Sequence, residues 1–207
     1  MQLGEWVLRE ACREAASWNQ NLQIAVNVSP IQFKHGDLPT LIRTVLADTG
    51  LAPHRLELEI TETALVEDFS SAISVSLELK KLGVKIAMDD FGSGFSSLSY
   101  LHAFPFDKIK IDKSFVGQLE TNPKAPTIIR TIIGLAHSLS LPALAEGVES
   151  EDQFKFLKRE GCDEIQGYFI GRPKEIDDYA DIAGKADRLA TSERPQGKRN
   201  SAQQLAT

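Results

Sequence analysis

The sequence has few of the features that would carry it into or across a membrane. No apolar run approaches the roughly 18 residues that a membrane-spanning helix needs. The N-terminal stretch carries Glu5, Glu10 and Glu14, which is not the pattern of a signal peptide. There are only two cysteines, Cys12 and Cys162, and they lie far apart in the chain. We therefore expect a cytoplasmic protein with no membrane span, in which both cysteines are reduced core residues.

Positive charge and closely spaced histidines are scarce as well. The net charge is −6 at pH 7. This value argues against binding to a nucleic-acid polymer, because such binding depends on clustered lysine and arginine. The four histidines show no spacing typical of metal ligands, and we interpret them as surface or helix-cap residues. An acidic protein can still bind a phosphate ester when metal ions mediate the contact. The carboxylates are therefore the candidate functional residues.

The sequence does contain a regular alternation of strand-like and helix-like segments. Its 207 residues, 42% of them hydrophobic, suffice for one domain with a sizeable core. Strict alternation predicts parallel strands joined by crossover helices, which makes the fold class α/β. The predicted strands are 22–28, 55–60, 84–88, 108–111, 141–145 and 164–170. The predicted helices are 3–18, 37–49, 69–82, 96–102, 127–139, 151–160 and 175–182.

Polar side chains occur at or just beyond the end of each predicted strand. In a β/α barrel the carboxyl ends of the strands form the active site, so these side chains would converge. A single carboxylate after a strand is more often a helix cap or a solvated loop residue. The prediction of a site therefore depends on the repetition over six strands. The residues concerned are Asn27, Glu59, Glu62, Asp89, Asp90, Lys110, Asp112, Glu146, Glu149 and Gln166.

Converging carboxylates predict a bound cation. They repel each other and raise each other's pKa, and a divalent ion removes that cost. Oxygen ligands from Asp, Glu and Asn suit Mg²⁺ or Mn²⁺ rather than zinc. The adjacent Asp89 and Asp90 could serve two ions, one of the carboxylates bridging them. Two such ions about 3.5–4 Å apart form the usual clamp for phosphodiester hydrolysis.

Six motifs occur in a fixed order along the chain, and together they resemble the EAL-domain family of bacterial cyclic di-GMP phosphodiesterases. The resemblance runs from about Leu3 to Pro173 and implies a TIM-type β/α barrel. The motifs are Asn27-Val-Ser, Glu59-Ile-Thr-Glu62, Asp89-Asp-Phe-Gly-Ser-Gly-Phe-Ser-Ser-Leu98, Lys108-Ile-Lys-Ile-Asp112, Ala145-Glu-Gly-Val-Glu149 and Gln166-Gly-Tyr-Phe.

The resemblance also implies a cofactor, two Mg²⁺ or Mn²⁺ ions, and a set of metal ligands. Asn27, Glu59 and Asp89 match the ligands of the first ion. Asp89 and Asp90 match the ligands of the second, with Asp89 bridging the two. Glu146 matches the residue that holds the second ion directly or through water. The implied reaction is attack of water on one phosphodiester bond of cyclic di-GMP, which gives linear pGpG.

The remaining matched residues are implied to support that reaction. Lys110 matches the group that orients the attacking water, and Asp112 lies beside it. Glu62 matches the anchor of the glycine-containing loop that follows the Asp-Asp pair. Glu149 and Gln166 match supporting residues of the substrate site.

One departure from the family is large. The Glu-Ala-Leu motif, whose Glu is a metal ligand in the family, does not occur in the 207 residues. A barrel of about 250 residues uses roughly 30 per βα unit. We therefore expect an N-terminally truncated barrel of about six units in residues 1–183, inactive by itself. A polar tail, residues 184–207, is expected to be disordered.

Two functions remain open at this point. The chain is either an EAL-type phosphodiesterase domain or a non-catalytic module that binds cyclic di-GMP or a partner protein. An enolase-like barrel is disfavoured, because it would not explain Asp89-Asp90-Phe-Gly beside Lys108-Ile-Lys-Ile-Asp112. The sequence also leaves open whether the chain forms a homodimer and whether sensory or diguanylate-cyclase domains precede it.

Overall fold

Six parallel strands form one sheet in which each strand pairs with the next along the chain. The computed structural model describes residues 2–66, 69–92, 101 and 103–184. Most of the helix predicted at 96–102, and the tail beyond Gly184, lie outside the described residues. The strands are β1 (Ile24–Val28), β2 (Leu56–Thr61), β3 (Lys85–Phe91), β4 (Lys108–Ile111), β5 (Ala143–Ala145) and β6 (Glu164–Ile165).

Helices lie between successive strands, as the predicted crossovers require, except that most of the connection from β3 to β4 lies outside the described residues. None of the helices in the described part of the chain is long and apolar enough to cross a membrane. The α-helices are α1 (Gln2–Ala16), α2 (Pro30–His35), α3 (Leu38–Thr49), α4 (Glu62–Val66), α5 (Phe69–Leu82), α6 (Lys113–Gly117), α7 (Ala125–Ser138), α8 (Glu151–Arg159) and α9 (Ala180–Ala183). Two 3₁₀ turns, Pro53–Arg55 and Ile176–Tyr179, precede β2 and α9.

Local sequence signals explain where the helices begin and end. Ser29 before α2 and Ser150 before α8 each form a capping box with a glutamine three residues later. The Asp37 side chain accepts from the backbone N–H of Thr40 at the start of α3. Gly50 ends α3 in the left-handed conformation at φ 72°, which glycine adopts without steric cost.

The sheet curls into a half-barrel whose core lies between the strands and the helices outside them. Side chains of β2 and β4 alternate between the outer face and the inner face. Leu58, Ile109 and Ile111 are fully buried. Within the described residues β1 and β6 are the edges of the sheet, and β1 exposes Ala25 and Asn27. The predicted incomplete α/β barrel is therefore confirmed.

The last described residues return to the beginning of the sheet. The backbone N–H groups of Asn19 and Gln20, shortly before β1, both donate to the carbonyl of Ala183. The Asn19 side chain also donates to the carbonyl of Gly184 at 2.7 Å. The segment after β6 thus connects the two ends of the open sheet at the amino-terminal side of its strands.

Three strands are shorter than predicted. β1 begins at Ile24 rather than Leu22. β5 begins at Ala143 rather than Leu141, because Pro142 has no N–H to donate to a neighbouring strand. β6 ends at Ile165, so the strand prediction for residues 166–170 is wrong. The chain turns at Gly167, where a Cβ atom would overlap the backbone of Val148. Val148 donates to the carbonyl of Gln166, and its own carbonyl accepts from Phe169.

Candidate metal centre

A buried lysine lies at the centre of the acidic residues. The Lys110 side chain, on β4, is only 3% exposed, and its Nζ contacts carboxylates from three other segments. It lies 2.7 Å from Glu59 on β2, 2.8 Å from Asp89 on β3 and 2.7 Å from Glu146 after β5. Four strand ends therefore converge on one point, as predicted from their polar residues.

The parallel register of the strands accounts for this convergence. Asn27 pairs with Glu59 between β1 and β2, and Thr61 pairs with Asp89 between β2 and β3. Asn27 is on the exposed edge strand, whereas Glu59 and Asp89 are buried. The structure thus places Asn27 next to Glu59 in the sheet, at the margin of the acidic group.

Three carboxylates have the spacing of a metal site. One oxygen from each of Asp89, Asp90 and Glu146 lies within 4.8 Å of the other two. Asp89 and Glu146 also contact Lys110, so the carboxylate group and the lysine share residues. Glu59 also contacts Lys110, and its charge acts on Glu146. The predicted ligands are therefore brought close together, with Asn27 and Glu59 on one side and Asp90 on the other.

An unusual backbone conformation brings Asp90 into the site. Asp90 has φ 54°, in the left-handed region that aspartate tolerates better than most residues. The pairing of β3 with β4 is irregular between Met88 and Phe91. In a regular strand, side chains of consecutive residues point to opposite faces. The irregularity allows Asp89 and Asp90 to serve the same site.

The electrostatics of the site reflect its crowding. Burial opposes the charge on Lys110, but hydrogen bonds to Asp89, Glu146 and Glu59 outweigh burial and raise the pKa of the lysine. Burial raises the pKa of Glu146, although Lys110 opposes the shift. Burial, a hydrogen bond to Asp112 and the charge of Asp89 together raise the pKa of Asp90 to about 6. The metal-free site therefore holds excess negative charge that a further cation would neutralise.

Among the residues predicted to support the site, Asp112 is hydrogen-bonded to Asp90 of the acidic group. Asp112 caps α6 by accepting from the N–H of Ser114 at 2.9 Å. Burial opposes the ionisation of Asp112, but hydrogen bonds from Ser114 outweigh it and lower the pKa of this carboxyl. Glu62 is buried at the start of α4. Most of the loop that Glu62 is predicted to anchor, residues 93–100, lies outside the described residues.

A cleft of about 350 Å³ opens beside the acidic group. Its lining includes the predicted residues Glu146, Glu149 and Gln166. It also includes Lys113 and Tyr168, which the sequence reasoning did not select. The guanidinium of Arg172 lies 4.5 Å from the centre of the Tyr168 ring. Their positions in the sequence could have indicated them, because Lys113 directly follows Asp112 and Tyr168 lies two residues after Gln166.

The donor set fits a hard divalent cation. Asp89, Asp90 and Glu146 offer carboxylate oxygens, which Mg²⁺ and Mn²⁺ prefer. Both cysteines are free thiols, Cys12 buried and Cys162 partly so, and neither belongs to this group. The raised pKa values of Asp90 and Glu146 also fit, since a bound cation offsets the repulsion between such carboxylates.

The profile of the EAL domain family matches residues 1–173 of the chain. An uncharacterised signalling protein of Caulobacter vibrioides is 58% identical over 175 residues, which is 84% of this chain and 22% of that protein. MucR of Pseudomonas aeruginosa, a bifunctional diguanylate cyclase and cyclic di-GMP phosphodiesterase, is 41% identical over 84% of this chain and 26% of its own length. The chain thus spans roughly a quarter of the length of these relatives.

Solved structures agree with the sequence matches. The cyclic di-GMP complex of the PaMucR phosphodiesterase superimposes with a TM-score of 0.84 at 40% identity, covering 86% of this chain and 74% of that one. A manganese and cyclic di-GMP complex of BlrP1 from Klebsiella pneumoniae gives a TM-score of 0.77 at 29% identity, covering 83% of this chain and 44% of that one. The predicted family is therefore confirmed: the chain belongs to the EAL domain family.

Proposed function

We propose that this chain forms the catalytic part of a cyclic di-GMP phosphodiesterase that produces linear pGpG. The observation that carries the proposal is the convergence of Glu59, Asp89 and Glu146 on Lys110, with Asp90 beside them. In an open α/β sheet, substrates bind outside the carboxyl ends of the strands. That is where these side chains lie.

We assign the two divalent ions to the predicted ligands. Asn27, Glu59 and Asp89 would hold one ion, and Asp89, Asp90 and Glu146 the other, with Asp89 shared. The spacing of Asp89, Asp90 and Glu146 supports the second of these sites directly. Bound ions of this kind polarise the phosphoryl oxygens and lower the pKa of the attacking water. Mg²⁺ and Mn²⁺ both fit the donor set.

Lys110 is assigned to the orientation of the attacking water. Its ammonium group has three donors, and in the metal-free chain all three face carboxylates, which fix the position of the group before substrate arrives. Ions bound to these carboxylates would neutralise them and leave a lysine donor for the water. Asp112 follows on the same strand end and is assigned to the support of this group. A pre-positioned donor loses little entropy when the reaction begins, which is why such positioning accelerates hydrolysis.

The cleft beside the acidic group is assigned to the nucleotide. Tyr168 offers an aromatic face on which a guanine base can stack, and Lys113 offers a cation for a phosphate. Gln166 and Glu149 line the same cleft and can hydrogen-bond to the edges of a base. Glu62 keeps its assignment as the anchor of the glycine-containing loop. The proposal includes a cytoplasmic location, which the two free thiols support.

The second candidate function is a module that binds cyclic di-GMP or a partner protein without hydrolysing the nucleotide. It is favoured by one observation, the lack of a Glu-Ala-Leu motif among the 207 residues. Without that carboxylate the first ion would be held by fewer ligands and bound more weakly. Titration calorimetry with cyclic di-GMP, combined with an assay for pGpG, separates the two candidates. A binding module gives heat of binding but no pGpG.

The decisive experiment is an assay for pGpG with Mg²⁺ or Mn²⁺, analysed by chromatography. The chain should be assayed beside a version extended at its N-terminus by a segment that carries the Glu-Ala-Leu motif. We expect hydrolysis by the extended version, and turnover at least roughly tenfold lower, a barrier difference of about 1.4 kcal/mol, for residues 1–207 alone. The extended version with Asp89→Asn serves as the inactive control. Absence of pGpG from the extended version, under conditions in which MucR yields it, would overturn the proposal.

A further inference from the structure

A second layer of charge lies inside the half-barrel, one step below the acidic group. The Lys108 side chain is 11% exposed, and its Nζ lies 3.2 Å from a carboxylate oxygen of Glu57. The same nitrogen lies 2.8 Å from Glu164. The Glu57 side chain is only 5% exposed, so the Lys108–Glu57 pair is buried. None of these three residues belongs to the proposed metal or substrate site.

This lower layer joins alternate strands across the interior. Glu57 is on β2, Lys108 on β4 and Glu164 on β6. Layers built from alternate strands are the way in which the interiors of β/α barrels are filled. Side chains two residues apart on a strand share a face. Glu57 and Lys108 therefore lie directly beneath Glu59 and Lys110 of the upper layer.

The sequences of the two strands leave their register weakly specified. β2 contains Leu56-Glu-Leu-Glu59 and β4 is Lys108-Ile-Lys-Ile111, so each repeats itself after two residues. A slip by one residue would move the apolar side chains to the wrong face of the sheet. A slip by two residues keeps apolar side chains outside and charged ones inside, so it carries no such penalty. The backbone pairing of β4 with β3 is irregular between Met88 and Phe91, although β4 pairs with β5 without interruption from Ile109 to Ile111.

A slip of β4 would put Lys108 where Lys110 now lies. Lys110 would then leave the three carboxylates that surround it. The lower layer opposes this slip, because Lys108 would lose Glu57 and Glu164, and the buried Glu57 would keep a charge without its partner. Uncompensated buried charge is strongly unfavourable, whereas the intact pair fixes one arrangement.

We propose that Lys108 is a positioning residue, whose ion pairs with Glu57 and Glu164 set the register of β4 so that Lys110 lies among Glu59, Asp89 and Glu146. Lys108 touches neither substrate nor metal and acts through Lys110. This role rests on the proposed function in one respect, which is that Lys110 takes part in the hydrolysis. The position of Lys110 itself can be measured without any reaction.

The test measures how fast Lys110 is acetylated by acetic anhydride in the intact metal-free chain, with mass spectrometry to quantify each lysine. In the parent chain Lys110 is protected by burial. We expect Lys108→Met to raise its rate roughly tenfold or more through local opening, and Lys108→Arg to keep the protection. The matched control is Lys85→Met, which removes the inner-face lysine paired with Glu57 in the register of β3. This control should leave Lys110 protected.

Alkylation of Cys12, which is fully buried in α1, reports unfolding of the whole domain in the same samples. Lys108→Met leaves Glu57 unpaired and can unfold the chain, so Glu57→Leu/Lys108→Leu is examined as well. Replacing both partners of a buried pair by apolar residues is often neutral for stability. Acetylation of Lys110 with Cys12 still protected in the double variant supports the proposal, and the single variant decides in the same way where the double variant does not fold. A folded double variant with Lys110 still protected overturns it, and so does joint labelling of Lys110 and Cys12 in both variants.

Activity gives a further readout in the extended version of the domain. A displaced Lys110 lowers kcat, and a folded variant should keep its KM, because the substrate cleft is built from other residues. If the extended parent chain gives no pGpG, the proposed function fails, while the acetylation rates still decide the role of Lys108. An unchanged kcat in a folded Lys108→Met variant counts against the positioning role.

Discussion

Replacing Lys110 by methionine tests whether the acidic site depends on an internal cation. Methionine is similar in length but uncharged, so the variant leaves Glu59, Asp89 and Glu146 without the ammonium group that each contacts at 2.7–2.8 Å. The lysine is 3% exposed and Glu59 is 9% exposed, so water screens these charges poorly. Removing one partner of a buried ion pair costs about 3–5 kcal/mol. We expect a loss of that order in the free energy of unfolding at pH 7 without metal.

The loss should depend on pH with a definite sign. The raised pKa of Glu146 means that the folded chain holds this proton more tightly than the unfolded chain does. The contribution of Glu146 to the free energy of unfolding is therefore present at low pH and is lost as the pH rises through the raised pKa. Without Lys110 the carboxylates repel each other more strongly. The difference between variant and parent should shrink as the pH falls and the carboxylates become protonated.

Thermal melting followed by circular dichroism measures the effect. A change of 3–5 kcal/mol lowers Tm by roughly 6–20 °C in a domain of this size. Mn²⁺ should restore part of the loss, because an ion bound to the folded state stabilises it by mass action. Lys81→Met, at an exposed position near the end of α5, is the matched control and should stay within about 0.5 kcal/mol of the parent. Equal melting of the Lys110→Met variant and the parent in EDTA at pH 7 would refute the reasoning.

Three further predictions concern separate parts of the molecule. Asp89→Asn should weaken both Mn²⁺ sites at once in calorimetry, because the carboxylate is shared; two unchanged affinities would remove its bridging role. Gly167→Ala should lower the free energy of unfolding in urea by about 2–3 kcal/mol, since the new Cβ overlaps the backbone of Val148. The control is Gly134→Ala, in open space within α7, which should raise that free energy by up to about 1 kcal/mol. Iodoacetamide at pH 8 should alkylate Cys162 about a hundredfold more slowly than a free thiol, because burial raises its pKa to about 11; ordinary reactivity would contradict that environment.

Much of the candidate site could be predicted from local sequence. The alternation of strand and helix patterns predicted six parallel strands, and parallel strands bring their carboxyl ends to one edge. Glu59, Asp89, Lys110 and Glu146 were chosen as strand-end residues, and the structure places all four in contact. The boundaries of β5 and β6 were less accurate. Pro142 was visible in the sequence, but the close approach of Gly167 to Val148 is a contact between distant segments.

The sequence by itself determined the order of the six strands and the longer helices, the residues at the strand ends and the EAL family, because these depend on periodicity, position and motif. The short helices α2, α4 and α6 were not predicted. Tertiary structure alone decided which charges meet. Lys108 and Lys110 are equivalent in the repeat Lys-Ile-Lys-Ile, yet Lys110 lies among Glu59, Asp89 and Glu146, while Lys108 pairs with Glu57 and Glu164. The reason is that strand register is set by contacts across the sheet, between residues far apart in the chain, and no local pattern encodes those contacts.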